Sequence, residues 1–545
     1  MGDEKRTSRQ LGINPLTRID YPDPDVIRVG DTYYMVSTTM YFMPGCEILR
    51  SYDLVCWEHA AYVYDRLDST PAQRMEGAEN IYGQGMWAAS LRYHNGTFYI
   101  CFVANDTHKT YLYRAESIEE PWEKSEIEGF YHDNSILFDD DGRVYIVYGN
   151  REIYLTELRD DLSGPKPGGL HRLILTDRDD AYLGYEGSHF YKINGRYYIF
   201  FIHMPKATGR RTEACFSAAS LTDEFVGGDV FDDDRGYFNS GCAQGGIVET
   251  PGGAWYAIVF QDSGAVGRIP ILVPVTWKDG MPVFGENGVL PAQFPIEDLK
   301  PDHVYEPLVS SDDFRSVCPE IISTAAKSQA ACGPVEIDFV NHKRRFDTFA
   351  FKSCWQFNHE PDLSLITRDT EVGTVTVTTD KVCKNLVQAK NVLTQRTTYP
   401  SCAAEITVDG AALKEGDYAG LCLLESSYTF AAITRRDGEL YVVMQNRVID
   451  NGSFWGERKD NEPGTELACV KLSGSSVRLR AEALFENKAD TGRFFYYDGE
   501  EKKALGPESK LVFKLDHFTG VRFGLFVFST KQTGGSGTFS EFIYE

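Results

Sequence analysis

Apolar and polar positions pattern the two ends of this chain differently. Toward the C-terminus, "GTVTVTTD", "SCAAEITVDG" and "VRLRAEALF" alternate residue by residue and read as half-buried strands. Toward the N-terminus a longer unit recurs five times: an outgoing strand, a turn holding Gly or Asp, and a returning strand rich in aromatics. Its copies are "DPDVIRVGDTYYMVST", "WAASLRYHNGTFYICF", "DNSILFDDDGRVYIVY", "EGSHFYKINGRYYIFF" and "QGGIVETPGGAWYAIV". Asn-Gly, Asp-Gly and Gly-Gly at the bend suit two-residue hairpins, whose central residues need positive φ. The aligned tyrosines, Tyr34, Tyr99, Tyr145, Tyr198 and Tyr256, are separated by 65, 46, 53 and 58 residues. That spacing matches one four-stranded blade per copy and predicts an all-β chain that opens with a five-bladed β-propeller.

The repeat makes further positions equivalent. Twelve residues before each of the last four tyrosines, and eleven before the first, stand Asp23, Trp87, Asp133, Glu186 and Gln244. Sheets arranged radially bring these strand starts together at a central channel, so three carboxyls from three blades converge there. Like charges in a partly dehydrated channel repel and force at least one pKa upward, a cost that a purely structural role would avoid with small or apolar residues. Pro22 and Pro24 fix φ on either side of Asp23 and hold its carboxylate in place with little entropy left to lose. Taken alone, Asp23 and Asp133 read as ordinary turn residues; the shared register sets them apart. Glu186, in "YLGYEGSHFY", stands among aromatics, where burial raises a carboxyl's pKa.

Composition narrows the function. A chain of 545 residues exceeds one core and predicts two domains, and 13% aromatic residues leave no case for extended disorder. A net charge of −25 without a basic stripe argues against nucleic acid and against anionic membranes. No run approaches about 18 consecutive apolar residues. The opening "MGDEKRTSRQ" is too polar for the core of a secretory signal, so the expected location is the cytoplasm, or outside the cell if a leader was trimmed. The 12 cysteines are scattered singly and are expected to be reduced thiols acting as small buried apolar residues.

Other motifs carry less. "DDDG" at 139–142 falls where the other repeats place their turns and lacks the full calcium-loop pattern. His189 and His203 have no partner at metal-ligand spacing and read as packed strand residues. "GQG" at 83–85 is too short for a dinucleotide site, and neither a Gly-x-Ser-x-Gly elbow nor a His-Glu-x-x-His motif occurs.

The segments "NPLTRIDYPDPDVIRVGDTYYMVSTT", "GMWAASLRYHNGTFY", "DNSILFDDDGRVYIVYGN", "YEGSHFYKINGRYYIFF" and "GRIPILVPVTWKDGMP" resemble glycoside hydrolase family 43, the β-xylosidases and α-L-arabinofuranosidases, over about residues 14 to 295. The resemblance implies a five-bladed propeller with Asp23 as general base, Asp133 as orienting and pKa-modulating acid, and Glu186 as general acid. It also implies Arg268, in "VGRIP", as the channel arginine on the substrate; from their repeat positions, Trp87 is expected to offer an apolar wall for a sugar face and Gln244 to contact the substrate. Met40 and Tyr41 stand where xylosidases often show Phe-Glu, which places Tyr41 at the sugar pocket. Gln244 replaces a fifth-blade histidine often associated with a metal ion, so no cofactor is expected and a structural calcium is not supported. "CWQFNHEPDLSLITRD" through "VRFGLFVFST" resembles the C-terminal β-sandwich, of concanavalin or jelly-roll type, found in many β-xylosidases of the family. The expected division is a propeller over 1–295, a proline-rich linker over 296–310 and a sandwich over 311–545. Residues 315–350 depart from the usual short passage into the sandwich and have no assigned role.

The implied activity is removal of terminal β-1,4-xylosyl residues from plant-derived oligosaccharides by inversion, Glu186 protonating the departing oxygen and Asp23 activating water, with Asp133 keeping Glu186 protonated. An α-L-arabinofuranosidase or arabinan hydrolase fits the same residues. So does a non-catalytic carbohydrate-binding propeller, although it would not need all three acids. The partner is a small oligosaccharide; monomer and homo-oligomer are both open.

Overall fold

The computed structural model describes residues 8–177, 180–316, 347–348, 351–448 and 462–545. Most of the 315–350 segment, namely 317–346 and 349–350, lies outside the described residues.

Five consecutive four-stranded antiparallel sheets form the N-terminal half. Blade 1 comprises Asp25–Val29, Thr32–Ser37, Gly45–Ser51 and Glu58–Tyr64; blade 2 comprises Met86–His94, Thr97–Ala104, Lys109–Ala115 and Glu123–Ile127. Blade 3 is built from Ser135–Phe138, Val144–Asn150, Glu152–Leu158 and His171–Thr176. Blade 4 follows with Ala181–Ile193, Arg196–Pro205, Thr212–Ala218 and Val226–Phe231, and blade 5 with Cys242–Glu249, Trp255–Asp262, Arg268–Lys278 and Met281–Phe284. Each predicted hairpin is the inner pair of one blade, and each aligned tyrosine lies on its second strand. "DDDG" is a turn, with Gly142 N–H donating to the Asp139 carbonyl.

No strand is shared between the first and last blades, so other contacts close the ring. Gly246 N–H of blade 5 donates to the Pro24 carbonyl, and the Asn14 amide bonds both the N–H and the carbonyl of Leu272, each at 2.8 Å. Ser8–Gly12 pairs antiparallel with Phe294–Asp298, so the proline-rich connector begins as a strand clasping the N-terminus. It then lies on blade 1, where Glu306 N–H donates to the Glu58 carboxylate.

Beneath the channel, Asp25 is fully buried and accepts from Leu91 N–H at 2.8 Å, Arg92 Nη1 at 2.7 Å and His189 Nδ1 at 3.1 Å. One carboxylate thereby ties blades 1, 2 and 4 together. His203 is likewise a packed residue, held between Asp177 and Asp229.

The C-terminal half is a β-sandwich of a seven-stranded and an eight-stranded sheet. The alternating stretches recognised in the sequence lie in the eight-stranded sheet, where Ser476–Leu484 alternates inward and outward positions along its whole length. The seven-stranded sheet does not alternate: Arg522–Ser529 is buried throughout and Asp417–Leu424 nearly so. Both of its faces are covered. Leu421, Leu423 and Ile433 face the other sheet, while Cys422, Leu424, Phe430 and Ala432 pack against Met40, Tyr41, Phe42, Ile81 and Tyr82 of the propeller. This apolar interface joins the domains into one body, and polar contacts register it: Met43 and Phe357 exchange backbone hydrogen bonds at 3.0 and 2.7 Å, and Arg396 Nη1 meets Glu47 Oε2 at 2.7 Å. No helix among the described residues is long and apolar enough to cross a membrane. The described cysteines are free, and most are buried.

Candidate active site

The five equivalent positions stand either just ahead of an innermost strand or at an irregularity within it. Asp23, Asp133 and Gln244 have left-handed backbones, with φ of 53°, 49° and 58°. The register slips at Trp87, on both sides of Glu186, and between Ala243 and Gly245. In a continuous strand the side-chain direction is set by pleat alone; a left-handed residue or a bulge re-aims it, at roughly 1–2 kcal/mol for each left-handed residue. The flanks of Asp23 are tied down: the Pro22 carbonyl accepts from Ser37 Oγ at 2.6 Å and Thr38 N–H at 3.1 Å, and the Pro24 carbonyl is held by blade 5. A carboxylate fixed between two anchored prolines keeps one position.

Asp23 is 7% exposed, and its Oδ1 accepts from Arg268 Nη1 at 2.9 Å. The Arg268 guanidinium lies 4.2 Å from the ring centre of Phe518, which the sandwich contributes, and Phe518 also meets the Trp87 ring edge-on at 5.6 Å. Glu186 is the more exposed acid. Its Oε2 accepts from the Asn150 amide and stands 3.5 Å from His132 Nε2, which is 3.8 Å from Asp133 Oδ2. Asp133 Oδ2 also accepts from Gly187 N–H at 3.0 Å. A Cβ on Gly187 would come within 2.7 Å of the Gln244 side chain, so glycine is required where blades 4 and 5 close on each other.

Burial, reinforced by Glu186 and Asp23 and opposed by His132, pushes Asp133 up to about 7. For His132, burial would lower the pKa, but Asp133 and Glu186 outweigh it and push the imidazole up to about 9. At neutral pH the channel therefore holds a protonated imidazole between two acids. Replacing His132 by Gln removes a cation that favours the ionised carboxyls, so the cluster keeps its proton to higher pH. The alkaline limb of the kcat/KM profile should move up by about one unit, a macroscopic shift belonging to the cluster; an unmoved limb would refute this role for His132.

The site thus gathers Asp23, Trp87, Asp133, Glu186, Gln244 and Arg268. Tyr41 sits differently: it is 1% exposed, with its hydroxyl turned toward His517 and Thr519 of the sandwich, behind the pocket wall. Sequence reasoning missed His132, Asn150, Arg211 and Phe518. His132 precedes Asp133 in "HDNSILF", and Asn150 ends the returning strand of the same repeat, so both were within reach of the repeat register. Arg211, whose pKa burial would lower but its ion partner Asp262 raises, with smaller help from Glu186 and Asp23, and Phe518 arrive from loops without a repeat signature.

Asp20 joins the two domains at this point. Its Oδ1 accepts from Arg268 N–H at 2.7 Å and its Oδ2 from Gly520 N–H of the sandwich at 2.8 Å. Asp20→Asn would turn an amide donor against one of those N–H groups, at a cost of about 1–3 kcal/mol, measurable as a lower urea midpoint. A variant as stable as the wild type would contradict the bridging geometry.

The family metal finds little purchase at the fifth blade. Gln244 offers a neutral amide in place of an imidazole, and its backbone N–H donates to Glu213 at 2.6 Å. His132, Asp133 and Glu186 do present ligand atoms within 4.8 Å of one another, but they are the acid cluster itself. No chemical step below passes through a metal.

Residues 13–282 match glycosyl hydrolases family 43, and residues 343–545 match the beta xylosidase C-terminal concanavalin A-like domain. The chain belongs to glycosyl hydrolase family 43. A β-xylosidase from Formosa agariphila is 25% identical over 98% of this chain and 90% of its own length. A non-reducing end α-L-arabinofuranosidase from Bacteroides ovatus is 28% identical over 55% of this chain and 58% of its own. Among solved structures, a bifunctional GH43-CE protein from Bacteroides eggerthii superposes with a TM-score of 0.84 at 38% identity over 99% of this chain. This family 43 chain spans 64% of that protein's length. The protein is a glycosidase of the xylosidase/arabinofuranosidase type.

Proposed function

We propose that this family 43 enzyme removes terminal β-1,4-xylosyl residues from oligosaccharides with inversion of configuration. The observation that carries the reading is the unequal surroundings of the two key acids. Asp23 is buried against the Arg268 guanidinium, a partner for an ionised carboxylate, and it is not part of the His132–Asp133–Glu186 cluster. Glu186, from a different blade, sits more open to substrate beside His132 and Asn150. Inversion needs such a division: one carboxylate to deprotonate water and one carboxyl to protonate the departing oxygen across a gap of roughly 6.5–9.5 Å. Asp23 is the base, Glu186 the acid, and Asp133, held by Gly187 N–H, orients the acid and stores charge beside it.

Trp87 and Phe518 form an apolar wall for a sugar face, and Arg268 offers hydrogen bonds to sugar hydroxyls. Because Phe518 and Asp20 bring the sandwich onto one side of the channel, the pocket favours a chain end, in keeping with exo action. The likeness to the Bacteroides ovatus arabinofuranosidase supports α-L-arabinofuranosyl cleavage as a second specificity of the same pocket. Initial rates on p-nitrophenyl β-D-xylopyranoside and p-nitrophenyl α-L-arabinofuranoside separate the two, and proton NMR of the first-formed sugar reads the stereochemistry. A first product with retained configuration would exclude the assigned roles of Asp23 and Glu186.

A further inference from the structure

Among the described residues, the hydrogen bonds joining the two domains go to blades 5, 1 and 2, as in Ala265 N–H to Asp490, Gly520 N–H to Asp20, Met43 with Phe357, and Ile81 N–H to His359. On blades 3 and 4, which carry Asp133 and Glu186, the residues Asn150, Arg151, Tyr182 and Thr208, at strand ends and in turns, are exposed. A substrate whose terminal sugar occupies the channel therefore has its remaining chain directed over this side.

At the edge of that side, the loop from blade 4 to blade 5 holds an anomaly. Phe238 has a φ of 51° and Asn239 one of 60°, and the Phe238 side chain is 54% exposed. A left-handed backbone is unfavourable for a bulky residue, and exposing a phenyl ring forgoes the stabilisation of burial. Neither is needed to connect two strands, yet the loop is built to maintain both. Asp234 accepts from the N–H groups of Gly236, Tyr237 and Asn239 at 2.9, 2.7 and 3.0 Å. Arg210 donates to Asn239 Oδ1 through Nε at 3.0 Å and Nη2 at 2.8 Å. Tyr237 braces the phenyl edge-on at 5.1 Å, and Lys488 of the sandwich places its ammonium 4.8 Å from the ring centre. The loop runs directly into the strand Cys242–Glu249, whose Gln244 stands at the channel against Gly187, and Arg210 is followed by Arg211, ion-paired to Asp262 of the next strand, so the anchor of Phe238 adjoins the channel.

We propose that Phe238 is a sugar-stacking platform for the leaving-group portion of a linear, neutral pentose oligosaccharide, beyond the scissile bond. The C–H face of a sugar ring covers the exposed phenyl, while the pre-set backbone removes the entropy of ordering it. The inference rests on the hydrolase reading above.

The test compares short and long substrates. Phe238→Ala should lower kcat/KM on xylohexaose or arabinohexaose about tenfold, carried by KM, while p-nitrophenyl glycosides change less than about twofold. An equal fall on both, or no fall on the hexaoses, overturns the platform. A Phe238→Trp variant in a Glu186→Gln background gives a second measurement: added indole emission should shift on titration with hexaose and not with the free monosaccharide, and silence toward both hexaoses overturns the platform. If the wild type fails to cleave either p-nitrophenyl glycoside, the hydrolase reading fails instead, and the emission titration still decides the platform.

Discussion

Asp23→Ala and Glu186→Ala are each expected to lower turnover by about 10²- to 10⁴-fold, the range that one positioned acid or base contributes. Their response to the leaving group should differ. A departing p-nitrophenolate or dinitrophenolate needs no proton, so Glu186→Ala should recover rate on such substrates relative to unsubstituted oligosaccharides. Asp23→Ala still lacks a base for water and should remain slow on all of them. Glu186→Ala should keep the wild-type melting transition, because Glu186 is partly open to solvent; Asp23→Ala leaves Arg268 without its buried partner and should melt lower than the wild type while staying folded at the assay temperature. Wild-type turnover in Asp23→Ala, or equal leaving-group recovery in both, would rule out the assignment.

The second large effect concerns stability. Asp25→Asn should cost about 3–5 kcal/mol, because it leaves Arg92 and His189 without the buried carboxylate that pairs them. Burial acts to raise the Asp25 pKa, but Arg92 and His189 outweigh it and hold the carboxyl down at about 2. A depressed folded-state pKa means that the contribution is present above the ordinary aspartate range, near 3.8, and is lost as pH falls through about 2. The shift corresponds to about 2 kcal/mol at neutral pH. Urea unfolding at pH 7 and pH 2.5 should show the gap between wild type and Asp25→Asn narrowing by more than about 1 kcal/mol at the acidic end; a constant difference across that range would place the stability elsewhere.

These predictions separate three aspartates that stand within six residues, in "DYPDPD". Asp20 bridges the domains, Asp23 faces the channel and Asp25 binds three blades underneath. The repeat register picked out Asp23 because equivalent positions in other blades are acidic too. It had no means of recognising Asp20 or Asp25, whose partners lie far away in sequence: Gly520 for one, Arg92 and His189 for the other.

The same distinction runs through the domains. The eight-stranded sheet was legible as alternating strands because one of its faces meets water. The seven-stranded sheet hid its period, since the propeller covers the face that would otherwise be polar.

Sequence by itself determined the five hairpins, their turns and the convergence of Asp23, Asp133 and Glu186, because strand period and turn chemistry are local and a repeat carries its register with it. Tertiary structure alone decided that His132 stands protonated between two acids, that Phe518 completes the wall from the other domain, and that Tyr41 lies behind the pocket. Charge and burial at a channel depend on what other blades and the second domain deliver to the same volume, and no local period records that.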